Sequence, residues 1–169
     1  DTPGMYKVSL TVTDTAGCPS TKARNIEVFP APVAMFNADQ MPCEDSPVHF
    51  DDVSSTYTGF ITEWTWNFGD GNILQIQYPG NSDVDHTYAS GGTYQVILSV
   101  KTSDSCTAET IQTIVVNQAP TSNFSYDNAC QLTAIQFTDQ TQTGSAGTIS
   151  GWNWNFGDFA SGAYNTSTL

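Results

Sequence analysis

Basic side chains are scarce in this chain of 169 residues. Its 4 lysines and arginines stand against 17 aspartates and glutamates, which gives a formal net charge of −13. Such a surface repels phosphate backbones and anionic lipid head groups. We therefore expect the protein neither to bind nucleic acid nor to insert directly into a membrane. A transmembrane helix would need about 18 consecutive apolar residues, and the sequence has no such run.

The chain also lacks the residue patterns of common catalytic and metal centres. His49 and His86 are its two histidines, and neither has a nearby serine or cysteine that would serve as an activated nucleophile. No cysteine or histidine spacing is typical of zinc. We therefore predict that the protein is not an enzyme and that it needs no cofactor, with weakly bound calcium as the one exception considered.

Apolar residues instead follow a period of two, and no segment shows a convincing helical period of 3.6. Val96, Leu98 and Val100 alternate with polar residues, as strand residues do in a half-buried sheet. Glycine and aspartate clusters separate the alternating segments and predict tight turns. We therefore predict an all-β, Ig-like sandwich. Its seven strands are placed near 33–39 (A), 47–53 (B), 62–68 (C), 72–78 (C′), 84–88 (E), 93–101 (F) and 107–116 (G).

One aromatic segment occurs twice. The residues from Trp64 to Asp70 return from Trp152 to Asp158, a step of 88 positions. A repeat of this length is typical of an array of like modules. The chain then divides into the F–G strands of one module (1–30), a complete module (33–118) and strands A–C of a third (121–169), with proline-bearing seams at 30–32 and 118–120.

Both ends of the chain fall inside modules by this alignment. Residue 1 aligns with Ala89, and residue 169 precedes the counterpart of His86. We expect the chain to be a segment of a longer protein. The alternative is head-to-tail complementation, in which the first 30 residues supply the two strands that the last 49 lack and generate a filament.

Together these motifs resemble the PKD (polycystic kidney disease) domain family. That family's pattern is Trp-Asp-Phe-Gly-Asp-Gly, then His-Thr-Tyr, then Gly-Thr-Tyr-x-Val-x-Leu-x-Val, and it is matched here at 66–71, 86–88 and 92–100. Asn67 departs mildly from the first motif, and Phe159 replaces its second glycine in the third module. The residues of the structural motif are Trp64, Trp66, Phe68, Gly69, Asp70, Gly71, His86, Tyr88, Gly92, Tyr94, Trp152, Trp154 and Phe156.

The placing of the cysteines adds a further resemblance, to PKD arrays in giant surface proteins of Bacteroidetes. These include gliding-motility adhesins exported by type IX secretion. The resemblance implies an extracellular or cell-surface spacer that presents distal adhesive or enzymatic domains, with neighbouring modules as its partners. A module that binds surface polysaccharide or protein is one alternative, and an accessory region of a secreted protease or polysaccharide hydrolase is another. Thr15, within Asp14-Thr15-Ala16, also fits that phylum's O-glycosylation pattern.

The four cysteines, Cys18, Cys43, Cys106 and Cys130, are disulfide candidates in keeping with an oxidising location. Cys43 follows strand A and Cys106 precedes strand G, so we expect them at opposite ends of the sandwich, about 20 Å apart. That distance is too long for a bond between them. We predict bonds across the module joints, and free thiols or a pairing within one module stay open as the alternative.

Asp51, Asp52, Asp83 and Asp85 are the candidate calcium ligands, because calcium takes several oxygen ligands. The alternative is a solvated acidic surface without a ligand. We expect Asp70 to cap the tight turn and His86 to hydrogen-bond within the fold. Trp66, Phe68 and Trp64 are expected to fill the core, with carbohydrate stacking on an exposed ring as the competing hypothesis.

Overall fold

The structure, a computed structural model, describes residues 2–131, 133–145 and 147–157. These residues form strands, turns and irregular segments, and none of them is helical. The strands, in chain order, are β1 (Gly4–Thr13), β2 (Pro19–Val28), β3 (Phe36–Ala38), β4 (Pro47–Asp52), β5 (Ile61–Asn67), β6 (Ile73–Gln77), β7 (Val84–Thr87), β8 (Gly92–Thr102), β9 (Thr107–Val116), β10 (Phe124–Tyr126) and β11 (Phe137–Asp139).

Strands β3 to β9 build two sheets. One has the order β3-β4-β7 and the other the order β6-β5-β8-β9. All seven predicted strands of the complete module are confirmed, although strand A is short. It consists of β3 and a separate bridge between Val33 and Ser55. The all-β, Ig-like sandwich predicted from the alternation is thus confirmed.

The core lies between the two sheets because every second residue of the central strands is large and apolar. Trp66 pairs with Leu98 across the antiparallel β5–β8 ladder, and Trp64 pairs with Val100. Each large apolar side chain removed from water contributes about 1.5–3 kcal/mol. The fully buried residues are Phe36, Val48, Phe50, Trp66, Tyr88, Val96, Leu98, Val100 and Val116.

Close backbone contacts divide the chain into two compact units. Of the described residues, the first unit comprises 2–39, 48–86 and 94–114, and the second comprises 40–47, 87–93 and the described part of 115–157. The module boundaries at 1–30, 33–118 and 121–169 follow the repeat rather than these contacts. They stay a prediction.

In the first unit, β1 and β2 form an antiparallel hairpin that pairs Gly4 with Val28 at its open end. The carboxylate of Asp14 closes its turn by accepting the amides of Ala16 and Cys18, each at 2.9 Å. The apolar face of this hairpin is exposed.

In the second unit, β10 and β11 form a short antiparallel pair, in which Phe124 lies opposite Asp139. These are the predicted strands A and B of the third module. Its predicted strand C is not formed over residues 151–157, and 158–169, which include Phe159, lie outside the described residues. The physical reason is pairing: β5 is held between β6 and β8, whereas no described strand pairs with 151–157.

Candidate functional site

Four aromatic rings form the centre of the sandwich. The ring of Phe36 meets that of Trp66 edge to face at a centroid distance of 5.1 Å, and Phe50 lies 5.7 Å from Trp66. Phe68 lies 5.5 Å from Phe50 and is stacked parallel to Trp66. Such pairs add about 0.5–1.5 kcal/mol each beyond the burial of their area. The structure therefore places Trp66 and Phe68 in the core, where they cannot stack on a ligand.

The two tryptophans of β5 each donate their indole N–H within the fold. Nε1 of Trp64 donates to Oδ2 of Asp52 at 2.6 Å, and Nε1 of Trp66 donates to the carbonyl of Ser82 at 3.1 Å. Trp64 is buried as well. A buried indole needs such a partner. The bond between Trp64 and Asp52 was not predicted, because the sequence shows the faces of strands but not which polar residue comes opposite.

The tight turn after β5 is closed by Asp70. Its carboxylate accepts the amide of Asn72 at 3.0 Å and Nε2 of His86 at 2.8 Å. The imidazole of His86 in turn stacks on Phe68, with centroids 4.0 Å apart. Burial alone would raise the pKa of Asp70, but the hydrogen bonds from Asn72 and His86 outweigh it and hold that pKa below its ordinary value. The structure thus brings Asp70 and His86 together as structural residues.

Gly69 and Gly71 allow this turn in different ways. Gly69 has φ of +81°, and a Cβ there would lie 2.6 Å from the carbonyl oxygen of Gln95. Gly71 has φ of +98°, but open space surrounds it. Only glycine combines a left-handed backbone with this close approach to β8. Of the remaining motif residues of this module, Gly92 begins β8 and Tyr94 is half-buried on it.

The second histidine lies at the surface among carboxylates. Nδ1 of His49 is 2.7 Å from Oδ1 of Asp85, and its Nε2 is 3.6 Å from Oδ1 of Asp51. The hydrogen bond with Asp85 is the main cause that raises the pKa of His49 above its ordinary value, against a smaller opposing effect of desolvation.

Three of the four candidate calcium ligands already take part in hydrogen bonds. Asp52 accepts from Trp64, the carboxylate of Asp83 accepts the amide of Asp52 at 3.0 Å, and Asp85 bonds to His49. Across the described ranges, no group of three or more histidine, cysteine or acidic side chains is arranged to hold a metal ion. Calcium binding stays a prediction, and any ion would have to compete with these bonds.

None of the four cysteines is bonded to another in the structure, and Cys18, Cys43 and Cys130 are exposed. Cys106 immediately precedes β9, and its sulfur lies 4.0 Å from the carbonyl of Phe29. Cys43 bridges to Asn117, which immediately follows β9. Bonds across joints stay a prediction.

Residues 121–157 repeat the polar and aromatic contacts of the intact module. Nε1 of Trp152 donates to Oδ2 of Asp139 at 2.8 Å, as Trp64 does to Asp52. Trp154 meets Phe124 edge to face at 5.4 Å and stacks on Phe156 at 6.0 Å. The repeat in the sequence is therefore also a repeat of three-dimensional contacts, although Asp139 follows Asp52 by 87 positions and Trp152 follows Trp64 by 88.

This second aromatic cluster is open to solvent. Phe124 is 53% exposed, whereas its counterpart Phe36 is 1% exposed. The rings of the cluster line a cleft of about 730 Å³ together with Ile135 and Asp139. Trp154 and Phe124 hold the repeat positions of the buried Trp66 and Phe36, but Trp154 is only half-buried and Phe124 is exposed.

An exposed aromatic pair was missed by the sequence analysis. The rings of Phe60 and Tyr78 lie 5.1 Å apart, both side chains are exposed, and Tyr57 in the preceding turn is exposed too. The available signal was their position at strand ends, with Phe60 just before predicted strand C and Tyr78 at the end of predicted strand C′. Thr15 is likewise exposed in the β1–β2 turn, so its modification stays a prediction that the geometry permits.

In the part of the chain that the structure describes, no helix has the length and apolar character that crossing a membrane requires. No curated protein sequence matches the chain.

Three solved structures are similar to part of the chain. The PKD1 domain of the Vibrio cholerae metalloprotease PrtV is 28% identical over 52% of this chain and 98% of its own, with a TM-score of 0.45. The PKD1 domain of Vibrio anguillarum Epp is 25% identical over 53% and 96%, with a TM-score of 0.46. A structure titled for the promiscuous specificity of carbohydrate-binding modules of the β-sandwich superfamily is 21% identical over 64% and 52%, with a TM-score of 0.48.

The family model described as PKD domain matches residues 30–116. This match includes the buried Trp66 and the Asp70–His86 pair, and it spans more than half of the chain, so the chain belongs to the PKD domain family.

Proposed function

We propose that this chain is a non-catalytic spacer segment of a secreted or cell-surface protein with several PKD modules, and that it holds distal adhesive or enzymatic domains away from the surface. The observation that carries the proposal is the repeated contact set. Trp152 and Asp139 reproduce the bond between Trp64 and Asp52, at 2.8 Å and 2.6 Å. A chain that repeats one kind of module along its length is better suited to form a rod than to catalyse a reaction.

The seam at 118–120 supports a stiff rod, because its backbone is held by the modules on both sides. The carboxylate of Glu44 accepts the amide of Ala119 at 3.0 Å and that of Gly91 at 2.6 Å. On the other side, the amide of Gln118 donates to Oγ of Ser145 at 2.7 Å. The seam itself takes part in two of these bonds, at Gln118 and Ala119, and a linker held in this way loses the freedom of a flexible tether.

Two glycines let the backbone approach this seam closely. A Cβ on Gly91 would lie 2.5 Å from the amide nitrogen of Gln118, and a Cβ on Gly144 would overlap the backbone of the same residue. Side chains at these positions would push the seam away. We therefore propose that Gly91, Gly144 and Glu44 act as joint residues, and that the surface carboxylates of the chain keep neighbouring rods apart.

The stiffness of the joint is tested by Glu44→Gln and Gly91→Ala in the full chain. We expect both to leave β3–β9 folded and to increase the independent motion of the two sides of the seam, measured by NMR relaxation of residues 118–126. Glu109→Gln is the matched control, because Glu109 is exposed on β9. Unchanged relaxation in both variants would show that the seam is not held by these contacts.

The spacer role itself is tested by replacing residues 33–118 in the parent protein. An unrelated sandwich of the same length should preserve display of the distal domains, whereas deletion should shorten the rod by about 35 Å. Loss of function on replacement, with length kept, would favour a binding role. The Bacteroidetes adhesin, gliding-motility and type IX assignments belong to the same proposal, as do joint disulfides and an extracellular location.

Binding of polysaccharide or protein is the second candidate function. The exposed pair of Phe60 and Tyr78 favours it, because adjacent exposed rings can stack on sugar faces. Binding of the chain to a polysaccharide panel that is lost in Phe60→Ala and kept in Val53→Ala would establish it. If the chain binds no polysaccharide of the panel, the spacer role remains the proposed function. An accessory role beside a protease or hydrolase depends on the other domains of the parent protein.

A further inference from the structure

Phe60 and Tyr78 form an exposed aromatic pair at one end of the β5–β6 ladder. Phe60 immediately precedes β5 and Tyr78 immediately follows β6, and these two antiparallel strand ends lie side by side. The side chains are 51% and 61% exposed, and their ring centroids are 5.1 Å apart. Large apolar side chains that are exposed together, rather than singly, mark an interaction surface.

The backbone beneath both rings is already held by the sheet. The amide of Ser103 donates to the carbonyl of Phe60 at 2.9 Å, and the amide of Tyr78 donates to the carbonyl of Thr62 at 2.9 Å. A ligand that contacts the rings therefore does not have to order the chain that carries them. Sites on such rigid elements lose little free energy to ordering when they bind.

The incomplete first module does not explain the exposure of Phe60. At repeat steps of 87 and 88 positions its counterparts are residues 147–148, and both are exposed although the intact module precedes them. The counterparts of Tyr57 are residues 144–145, which lie against the 118–120 seam. We therefore leave the exposed Tyr57 out of the site and keep the pair of Phe60 and Tyr78.

Polar groups stand beside the rings. A Cβ on Gly59, the residue before Phe60, would lie 3.0 Å from Oδ2 of Asp104, and the hydroxyl of Thr58 donates to the same oxygen at 3.3 Å. A protein partner of ordinary size would have to bury about 800 Å² of this surface. A sugar unit needs much less, because its C–H face covers one ring while its hydroxyls meet the polar groups alongside. The surroundings of the pair thus favour a glycan over a protein.

The angle between the rings limits the form of the glycan. The planes of Phe60 and Tyr78 are inclined by 56° to each other. A crystalline polysaccharide presents a flat face and would need both rings in one plane. An inclined pair instead contacts a single chain from two directions, so the geometry favours a soluble polysaccharide.

Charge limits the composition of the glycan. Lys101 is the one basic residue between 33 and 118, and it lies opposite Glu63 in the β5–β8 ladder, so its charge is offset. Asp104 adds a further carboxylate close to Phe60. A sulfated or uronic-acid polysaccharide would meet like charge here and would be repelled.

We propose that Phe60 and Tyr78 form a binding site for a single chain of a neutral, soluble polysaccharide. This inference rests on the second candidate function, binding of polysaccharide, to which it adds the ligand class. The spacer role does not depend on it.

Affinity electrophoresis of the full chain tests the ligand class. We expect retardation in gels that contain a neutral soluble polysaccharide, either mixed-linkage β-glucan or galactomannan. We expect no retardation in alginate, which is a polymer of uronic acids, and no depletion of the chain by microcrystalline cellulose. Retardation in alginate alone, or depletion by cellulose alone, would leave binding as a function and overturn the ligand class.

Variants of the two rings test the site. Phe60→Ala and Tyr78→Ala should each weaken binding to the neutral polysaccharide at least about tenfold, because each removes the apolar area of one ring. Tyr78→Phe keeps the ring and should bind within about threefold of the wild type. Ile111→Ala is the matched control, because Ile111 is 55% exposed on β9. Its affinity should equal that of the wild type.

An NMR titration of the wild type with the same polysaccharide keeps the test decisive even if a variant fails to fold. The ring resonances of Phe60 and Tyr78 should shift on titration, whereas the methyl resonances of Ile111 should not. Binding that is equal in Phe60→Ala, Tyr78→Ala and the wild type, or ring resonances that do not move, would overturn this site while polysaccharide binding stands. Absence of binding to every polysaccharide would overturn both this inference and the second candidate function.

Discussion

Replacing Asp70 tests whether the turn and the histidine stack are held by one carboxylate. Its side chain is 16% exposed and accepts hydrogen bonds from the Asn72 amide at 3.0 Å and from Nε2 of His86 at 2.8 Å. A hydrogen bond to a charged group contributes about 1.5–3 kcal/mol. Because the carboxylate is partly accessible to water, we take the low end of this range for each bond. Loss of both bonds in Asp70→Ala should then lower the free energy of unfolding by about 3 kcal/mol.

The assay is urea unfolding of the full chain at pH 7, followed by tryptophan fluorescence. Asp70→Asn should lower the free energy of unfolding by about half as much, roughly 1.5 kcal/mol. The amide oxygen of the asparagine can still accept the hydrogen bond from the Asn72 amide, but it offers no negative charge to His86. Glu109→Gln removes an exposed charge and should cost less than about 0.5 kcal/mol. If Asp70→Ala costs no more than this control, the carboxylate does not hold the turn.

The pH dependence provides an independent check with a definite sign. Because the pKa of Asp70 is lowered in the folded state, its stabilisation is present above its unfolded pKa of about 3.9. It is lost as the pH falls through the lower, folded pKa. The difference in unfolding free energy between wild type and Asp70→Asn should therefore shrink as the pH falls below about 4. A difference that grows in acid would contradict this sign.

Four further substitutions test other parts of the fold. Leu98→Ala should lower the free energy of unfolding by about 2–5 kcal/mol in urea unfolding, whereas Leu10→Ala at the equivalent repeat position should have almost no effect in dilute solution. Equal losses of unfolding free energy in the two variants would contradict the difference in burial. Gly69→Ala should lower the melting temperature measured by calorimetry, because its Cβ would meet a backbone oxygen 2.6 Å away. NMR titration should show the pKa of His49 above 6.5, and Asp85→Asn should lower that pKa. Because the pKa is raised in the folded state, the stabilisation from the His49–Asp85 hydrogen bond is present at low pH. It is lost as the pH rises through the folded pKa of His49.

Much of the fold could be predicted because local alternation was enough. The period of two located β4, β5, β8 and β9, and glycine with aspartate located the turn after Asn67. The repeat also identified which rings would cluster, since Trp154 and Phe124 stand where Trp66 and Phe36 stand. These features depend on neighbours in sequence, and a strand's two faces follow from its own residues.

The long-range polar contacts could not be predicted. Glu44 reaches the amide of Ala119, 75 positions away in the sequence. Asp52 faces Trp64, and His49 faces Asp85, because of strand order and register. Alternation states which face a residue is on, but not which residue of another strand lies beside it.

By itself the sequence determined the strands, the turns, the aromatic rings of the core and the 88-residue step, because each depends on residue type and spacing. Only the tertiary structure decided which carboxylates serve as hydrogen-bond acceptors and which copy of the core is closed. The reason is that burial and pairing require a second sheet to be in place. Phe36 and Phe124 occupy the same place in the repeat, yet β8 and β9 cover only the first.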